Sequence, residues 1–191
     1  MTGTATIEEP AVKIAADKVV ILDRDGTIVV DRGYLADPAG LEFEPAAPEG
    51  LRWLHRRGYR LIVISNQSGV GRGYFTTERL AAMNERLRAM IETAGAKLDG
   101  IYCCPHAPDA GCECRKPGQA LMLRAASELG FDPRAAYVVG DKDSDIEFGH
   151  RAGARTILID PHATGAQYAH RADAVVPNLL AAARTVIAGP P

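Results

Sequence analysis

Asp23-Arg24-Asp25-Gly26-Thr27 follows directly on the apolar run Val19–Leu22. In an extended chain residues i and i+2 point the same way, so two carboxylates one residue apart at a strand end can share a pocket. That arrangement suits nucleophilic chemistry on phosphorus. Asp23 attacks and carries the phosphoryl group; Asp25 protonates the leaving alcohol and then activates the hydrolytic water. Gly26 permits a sharp turn, and Thr27 is expected to hold Asp25 or a phosphate oxygen by hydrogen bond. A second acidic turn, Gly140-Asp141-Lys142-Asp143-Ser144-Asp145, follows another apolar run. Mg²⁺ takes few protein carboxylates and shares phosphate oxygens. Asp23, Asp141 and the backbone carbonyl of Asp25 are its expected donors. Lys142 stands to neutralise substrate phosphate, and Asp145 to orient a metal-bound water or to cap the helix beginning near Ser144.

Two further segments carry chemistry. Ser65-Asn66-Gln67-Ser68-Gly69 closes the apolar run Leu61–Ile64; a hydroxyl and backbone N–H groups at such a turn make an anion cradle. Arg72 adds a cation on the glycine-flanked loop beyond. Cys104-Pro105-His106 and Cys112-Glu113-Cys114 form a Cys-x-His-x5-Cys-x-Cys pattern, which suits a closed Cys₃His tetrahedral zinc site. With all four positions filled, the zinc is expected to be structural, ordering a Pro- and Gly-containing segment that buries little core of its own. Cys103 is the odd cysteine and is expected to pack at a strand end. Arg115 and Lys116 follow the last ligand at once. The loop then holds Lys116 over the transferring phosphoryl group, with Arg115 free to fork onto a second phosphate. The expected catalytic set is Asp23, Asp25, Ser65 and Lys116.

These turns need a frame that brings them together. Apolar strand runs at 18–22, 60–65, 100–103, 136–140 and 155–159, with a weak one at 174–176, alternate with helical patterns at 47–57, 77–94, 119–129, 144–152 and 178–187. Strands alternating with helices predict a doubly wound parallel sheet in three layers, with right-handed crossovers. Ligands in such sheets bind beyond the carboxyl ends of the strands, at a switch in strand order, and the polar motifs all fall at those ends. Trp53 is expected in the core on the first helix.

The chain has 191 residues, 47% of them hydrophobic, which suits one folded domain. Residues 1–17 read as a loose arm and 18–191 as a single phosphatase domain with its zinc loop at 103–117. A net charge of −2 argues against nucleic acid or an anionic membrane as partner. No apolar stretch reaches the roughly 20 residues of a membrane helix. The N-terminus lacks a signal-peptide pattern, and clustered cysteines suit a reducing compartment, so a cytoplasmic protein is expected. The expected state is a monomer.

Asp23–Thr27, Ser65–Gln67, Lys116 and Gly140–Asp145 occur in the order of the haloacid-dehalogenase-like phosphatases, and the chain resembles them over roughly residues 18–160. The zinc loop resembles the histidinol-phosphatase-like branch of that family. The resemblance implies an aspartyl-phosphate intermediate, catalytic Mg²⁺, structural Zn²⁺ and a minimal cap, so that loops select the substrate. Implied substrate contacts are Asp31, Arg32, Gly33 and Tyr34; Ser65, Asn66, Gln67 and Ser68; and Arg115, Lys116 and Lys142. Two substrates fall within the branch. Ser65–Gly69, Arg115 and Lys142 favour a small sugar bisphosphate, a heptose 1,7-bisphosphate losing its 7-phosphate. The five-residue gap between His106 and Cys112 fits histidinol phosphate as well. Outside enzymes, a phospho-accepting receiver-like signalling domain shares the parallel sheet, the aspartyl-phosphate and the lysine, but lacks an acid two residues beyond its nucleophile. A zinc-dependent interaction module is the third reading.

Overall fold

The computed structural model describes residues 18–162 and 171–189; the expected arm at 1–17 lies outside the described residues. Six strands, β1 (Val19–Leu22), β2 (Arg60–Asn66), β3 (Gly100–Cys104), β4 (Tyr137–Gly140), β5 (Arg155–Ile159) and β6 (Ala174–Val176), form one sheet in the order β3-β2-β1-β4-β5-β6. Every pairing is parallel. The helices are α1 (Ala47–Arg56), α2 (Thr77–Thr93), α3 (Ala120–Leu129), α4 (Asp143–Ala152) and α5 (Leu179–Ala188).

Alternation along the central strands builds the three layers. Val20 and Leu22 join Leu61, Val63 and Val139 in a core with Leu51 and Leu54 of α1, Met83, Leu87 and Ile91 of α2, and Val186 of α5. Val19 and Ile21 join Ile62, Ile64 and Val138 on the other face, against Leu121, Met122 and Ala125 of α3 and Phe148 of α4. The central strands are thus apolar on both faces, as strands covered twice must be. Trp53 departs from expectation. It is 39% exposed on α1, with the Arg184 guanidinium 5.5 Å from its ring centroid; Leu51 and Leu54 fill the core-facing stripe instead.

The chain leaves β1 toward β2 on one side and β4 on the other, so the switch in strand order lies between β1 and β4. The ladder continues past β1, since the Asp23 N–H donates to the Val139 carbonyl at 2.9 Å. The Asp23 and Asp141 turns therefore open side by side at the carboxyl edge, where doubly wound sheets bind ligands. No described helix is long and apolar enough to cross a membrane.

Candidate functional site

Asp23 keeps the parity of Val19 and Ile21 and turns toward the α3–α4 side. Extended geometry ends at Arg24, whose carbonyl accepts from the Ile28 and Val29 N–H groups at 2.9 and 3.0 Å. Gly26 makes the turn at φ +84°, and a Cβ there would lie 2.4 Å from Asp141 Oδ2. Gly140 is a second close approach, with a Cβ position 2.3 Å from Asp145 Cγ. Gly26 lets the two acidic turns pack against each other, and Gly140 lets Asp145 fold back over its own turn.

Lys116 is the centre of the inner site. Its Nζ lies 2.7 Å from Asp23 Oδ1 and 2.6 Å from Asp145 Oδ1, and it donates to the Ile64 carbonyl at 2.6 Å. Burial works against this ammonium, but the carboxylates of Asp145 and Asp23 outweigh it and hold its pKa above the usual lysine value. Asn66 clamps the same residue by its backbone: the Lys116 N–H donates to Asn66 Oδ1 at 2.9 Å, and Asn66 Nδ2 donates to the Lys116 carbonyl at 3.2 Å. Asp145 also accepts from the Lys142 N–H at 3.1 Å, so it both caps α4 and pairs with Lys116.

Carboxylate oxygens of Asp23, Asp141 and Asp145 lie within 4.8 Å of one another. Burial pushes the Asp141 carboxyl up to about 7, against the pull of Lys142 and with the added push of Asp23 and Asp145. Its Oδ1 is buried without a hydrogen-bond partner among the described residues. A crowded carboxylate group with an unpartnered oxygen fits a hard divalent cation, which takes oxygen donors. The Asp25 carboxylate lies outside this cluster; it is bonded to Arg24 and Gln67.

An inner recess of about 40 Å³ is lined by Asp23, Asp25, Ser65, Asn66, Lys116, Lys142, Ser144 and Asp145. Asp25, Asn66, Lys142 and Ser144 also line an outer cavity of about 300 Å³, with Asp31, Gly33, Tyr34, Ser68 and Arg115 on its other walls. Lys142 Nζ meets Asp31 Oδ2 at 3.0 Å and Asp141 Oδ2 at 3.6 Å. At the rim, Tyr34 and Tyr74 meet edge to face with centroids 4.4 Å apart. Arg115 Nη1 is buried without a partner among the described residues.

Several expected residues are placed differently. Arg32 does not line the cavity; it pairs with Glu42 on the exposed side of its loop. Gln67 is buried: Oε1 accepts from Arg24, while Nε2 donates to Asp25 Oδ2 and to Ser65 Oγ. It lines the outer cavity, but both Nε2 hydrogens are spent on its neighbours, which it braces. Thr27 does not hold Asp25. The turn at Gly26 carries it away from the recess, and its buried Oγ1 has no partner among the described residues; it borders a separate cavity with Glu44, Pro161 and Asn178.

Cys104, His106, Cys112 and Cys114 converge with donor atoms within 4.8 Å of one another. The sulfur–sulfur and sulfur–Nδ1 separations run from 3.1 to 3.6 Å. That is far beyond a disulfide bond and near the edge of a tetrahedron with zinc–sulfur bonds of about 2.3 Å. The cluster is one that could bind zinc. It also braces the site: the Gly71 N–H donates to the Pro105 carbonyl and the Gln67 N–H to the Cys104 carbonyl, both at 2.7 Å. Cys103 stays outside the cluster at the end of β3, within 3.6 Å of Asn84 Nδ2.

Arg24 had no place in the expected site, yet it is buried beside Asp25. Its one signal in the sequence is a cation set between two aspartates at a strand end.

Comparison with known proteins agrees with this geometry. The family model for HAD-hydrolase-like proteins matches residues 113–182. The D-glycero-β-D-manno-heptose-1,7-bisphosphate 7-phosphatase of Helicobacter pylori strain J99 is 40% identical over 147 residues, covering 76% of this chain and 84% of the relative. The Haemophilus ducreyi protein of the same name is 36% identical over 172 residues, covering 85% and 94%. Among solved structures, D,D-heptose 1,7-bisphosphate phosphatase from B. bronchiseptica, complexed with magnesium and phosphate, superposes with a TM-score of 0.80 at 27% identity, covering 91% of this chain and 99% of that one. The chain therefore belongs to the haloacid-dehalogenase-like hydrolases and, among them, to the family of heptose-1,7-bisphosphate 7-phosphatases.

Proposed function

We propose that this enzyme removes the 7-phosphate of D-glycero-D-manno-heptose 1,7-bisphosphate through a phospho-Asp23 intermediate. The supporting observation is the pairing of a recess fit for one phosphoryl group with an outer cavity that carries a second cation, Arg115, whose Nη1 has no hydrogen-bond partner among the described residues. The relatives' names favour the β anomer. In this reading Asp23 is the nucleophile, and Lys116 holds it in place. Asp25 gives a proton to the departing alkoxide and then takes one from the water that opens the phospho-enzyme. Lys142 and Ser65 face the transferring phosphoryl group. Binding of the non-reacting phosphate at Arg115 aligns the other one over Asp23.

Asp23, Asp141 and the Asp25 carbonyl would hold Mg²⁺, with Asp145 beside them. When bound, the cation offsets the charge of the phosphoryl oxygens facing Asp23. Cys104, His106, Cys112 and Cys114 would hold structural Zn²⁺. The enzyme works as a monomer in the cytoplasm, on a small sugar bisphosphate. Histidinol phosphate is the alternative substrate, favoured by the short gap between His106 and Cys112. Phosphate release from both anomers of the bisphosphate, measured beside histidinol phosphate at fixed Mg²⁺, separates the two. A higher kcat/KM for a heptose anomer is expected; preference for histidinol phosphate refutes the proposal.

A further inference from the structure

Arg24 takes no part in the chemistry described so far, and its burial is costly. The side chain is 3% exposed, and a guanidinium out of water is destabilising unless paired. Its pairing is specific. Nε donates to Asp25 Oδ2 at 3.0 Å and Nη2 to Asp25 Oδ1 at 3.2 Å, and Nη2 also reaches Gln67 Oε1 at 2.8 Å. Gln67 closes the circuit, since its Nε2 donates to Asp25 Oδ2 at 2.7 Å and to Ser65 Oγ at 2.9 Å. Two side chains, from the end of β1 and the end of β2, thus hold both oxygens of one carboxylate. That carboxylate sits where the inner recess meets the outer cavity, which is where a leaving oxygen departs from phosphorus held over Asp23.

We infer that Arg24 and Gln67 are positioning residues for the acid–base group: together they fix the plane and reach of the Asp25 carboxyl. The inference rests on the reading of Asp25 as the general acid and base. A planar fork sets orientation as well as charge, and a lysine at the same place is a point charge without that geometry. Misaligning a proton donor while leaving the nucleophile intact has a distinct kinetic signature. p-Nitrophenolate departs without being protonated, so transfer of the phosphoryl group from p-nitrophenyl phosphate to Asp23 needs no acid. An alkoxide leaving group does need one.

The test compares Arg24→Lys, Gln67→Met, the double variant and Asp25→Asn in single-turnover and burst experiments with the heptose bisphosphate and with p-nitrophenyl phosphate. Circular dichroism and thermal melts confirm folding; if Arg24→Lys does not fold, Gln67→Met carries the test. For both single variants, transfer from the heptose bisphosphate is expected to fall by roughly 30-fold or more, a part of the roughly 10²–10⁴-fold that a general acid contributes. KM should stay within about threefold, and the p-nitrophenolate burst should keep its rate within about threefold. The double variant should be no slower than the worse single one, because both act through one carboxylate. Equal losses on the two substrates, or no loss on either, overturn the inference. If Asp25→Asn itself shows no dependence on the leaving group, the reading of Asp25 as the acid fails. If it does and the other variants do not, the positioning role alone fails.

Discussion

Replacing Lys116 with methionine removes a cation shared by two buried carboxylates. Asp23 and Asp145 lie 2.7 and 2.6 Å from its Nζ, with side-chain exposures of 7% and 1%. Taking one partner from a buried pair costs about 3–5 kcal/mol, because the other charge is stranded. With a denaturant slope of about 2–3 kcal/mol per molar for a chain of this size, the urea midpoint should drop by roughly 1–2 M. The loss should depend on pH in a definite direction. Burial already pushes the Asp145 carboxyl up, and Lys116 is the largest influence opposing it. Without Lys116 that carboxyl rises further. A group whose folded pKa is raised contributes fully below its unfolded pKa and loses that contribution as pH rises through the folded pKa. The deficit of Lys116→Met should therefore be largest at pH 8 and shrink toward pH 5, as Asp145 protonates instead of standing charged and unpaired. Urea melts of both proteins at the two pH values, in magnesium-free buffer, read this directly. An equal deficit at both, or one below about 1 kcal/mol, would show that the ammonium does not compensate these carboxylates.

Asn66→Ala removes two hydrogen bonds to the Lys116 backbone; a stability loss of about 1–3 kcal/mol and a reduced kcat are expected, by denaturation and steady-state kinetics. Gly26→Ala places a methyl 2.4 Å from Asp141 Oδ2 at a positive φ. It should cost roughly 1–3 kcal/mol of stability and weaken Mg²⁺ binding by calorimetry, whereas unchanged Mg²⁺ affinity would mean that Asp141 is not a ligand. Elemental analysis of the purified protein should find one zinc per chain. Cys112→Ser should lose it, lowering both melting temperature and kcat, because the loop is bonded to Gln67 and Gly71 and carries Lys116 two residues past its last ligand.

The fold was legible because its determinants are local. Leu61–Ile64 is apolar at every position, which only a doubly covered strand requires. The helical stretches between strands run apolar on the stripe that meets the sheet. The acidic turns were legible for a related reason: a doubly wound sheet gathers its strand ends, so motifs 118 residues apart such as Asp23 and Asp141 must meet. Side-chain direction within a turn was not legible. Strand parity runs out at Arg24, where the carbonyl accepts two N–H groups. Beyond that point spacing no longer tells that Thr27 faces away and that Asp25 is tied to Arg24. Nor does spacing tell that Asn66 and Gln67 spend their amides on Lys116 and Asp25, because a polar side chain at a cavity edge can face ligand or protein equally well. Trp53 shows the same limit on a helix. Its neighbours Leu51 and Leu54 satisfy the core stripe, leaving the indole to stack under Arg184 at the surface.

Phosphorus-31 NMR of the bisphosphate during turnover tests the central claim most directly. The account predicts that the resonance of the 7-phosphate disappears as inorganic phosphate grows, while the anomeric phosphate remains attached to the sugar. Release of the anomeric phosphate, or of neither, would contradict it.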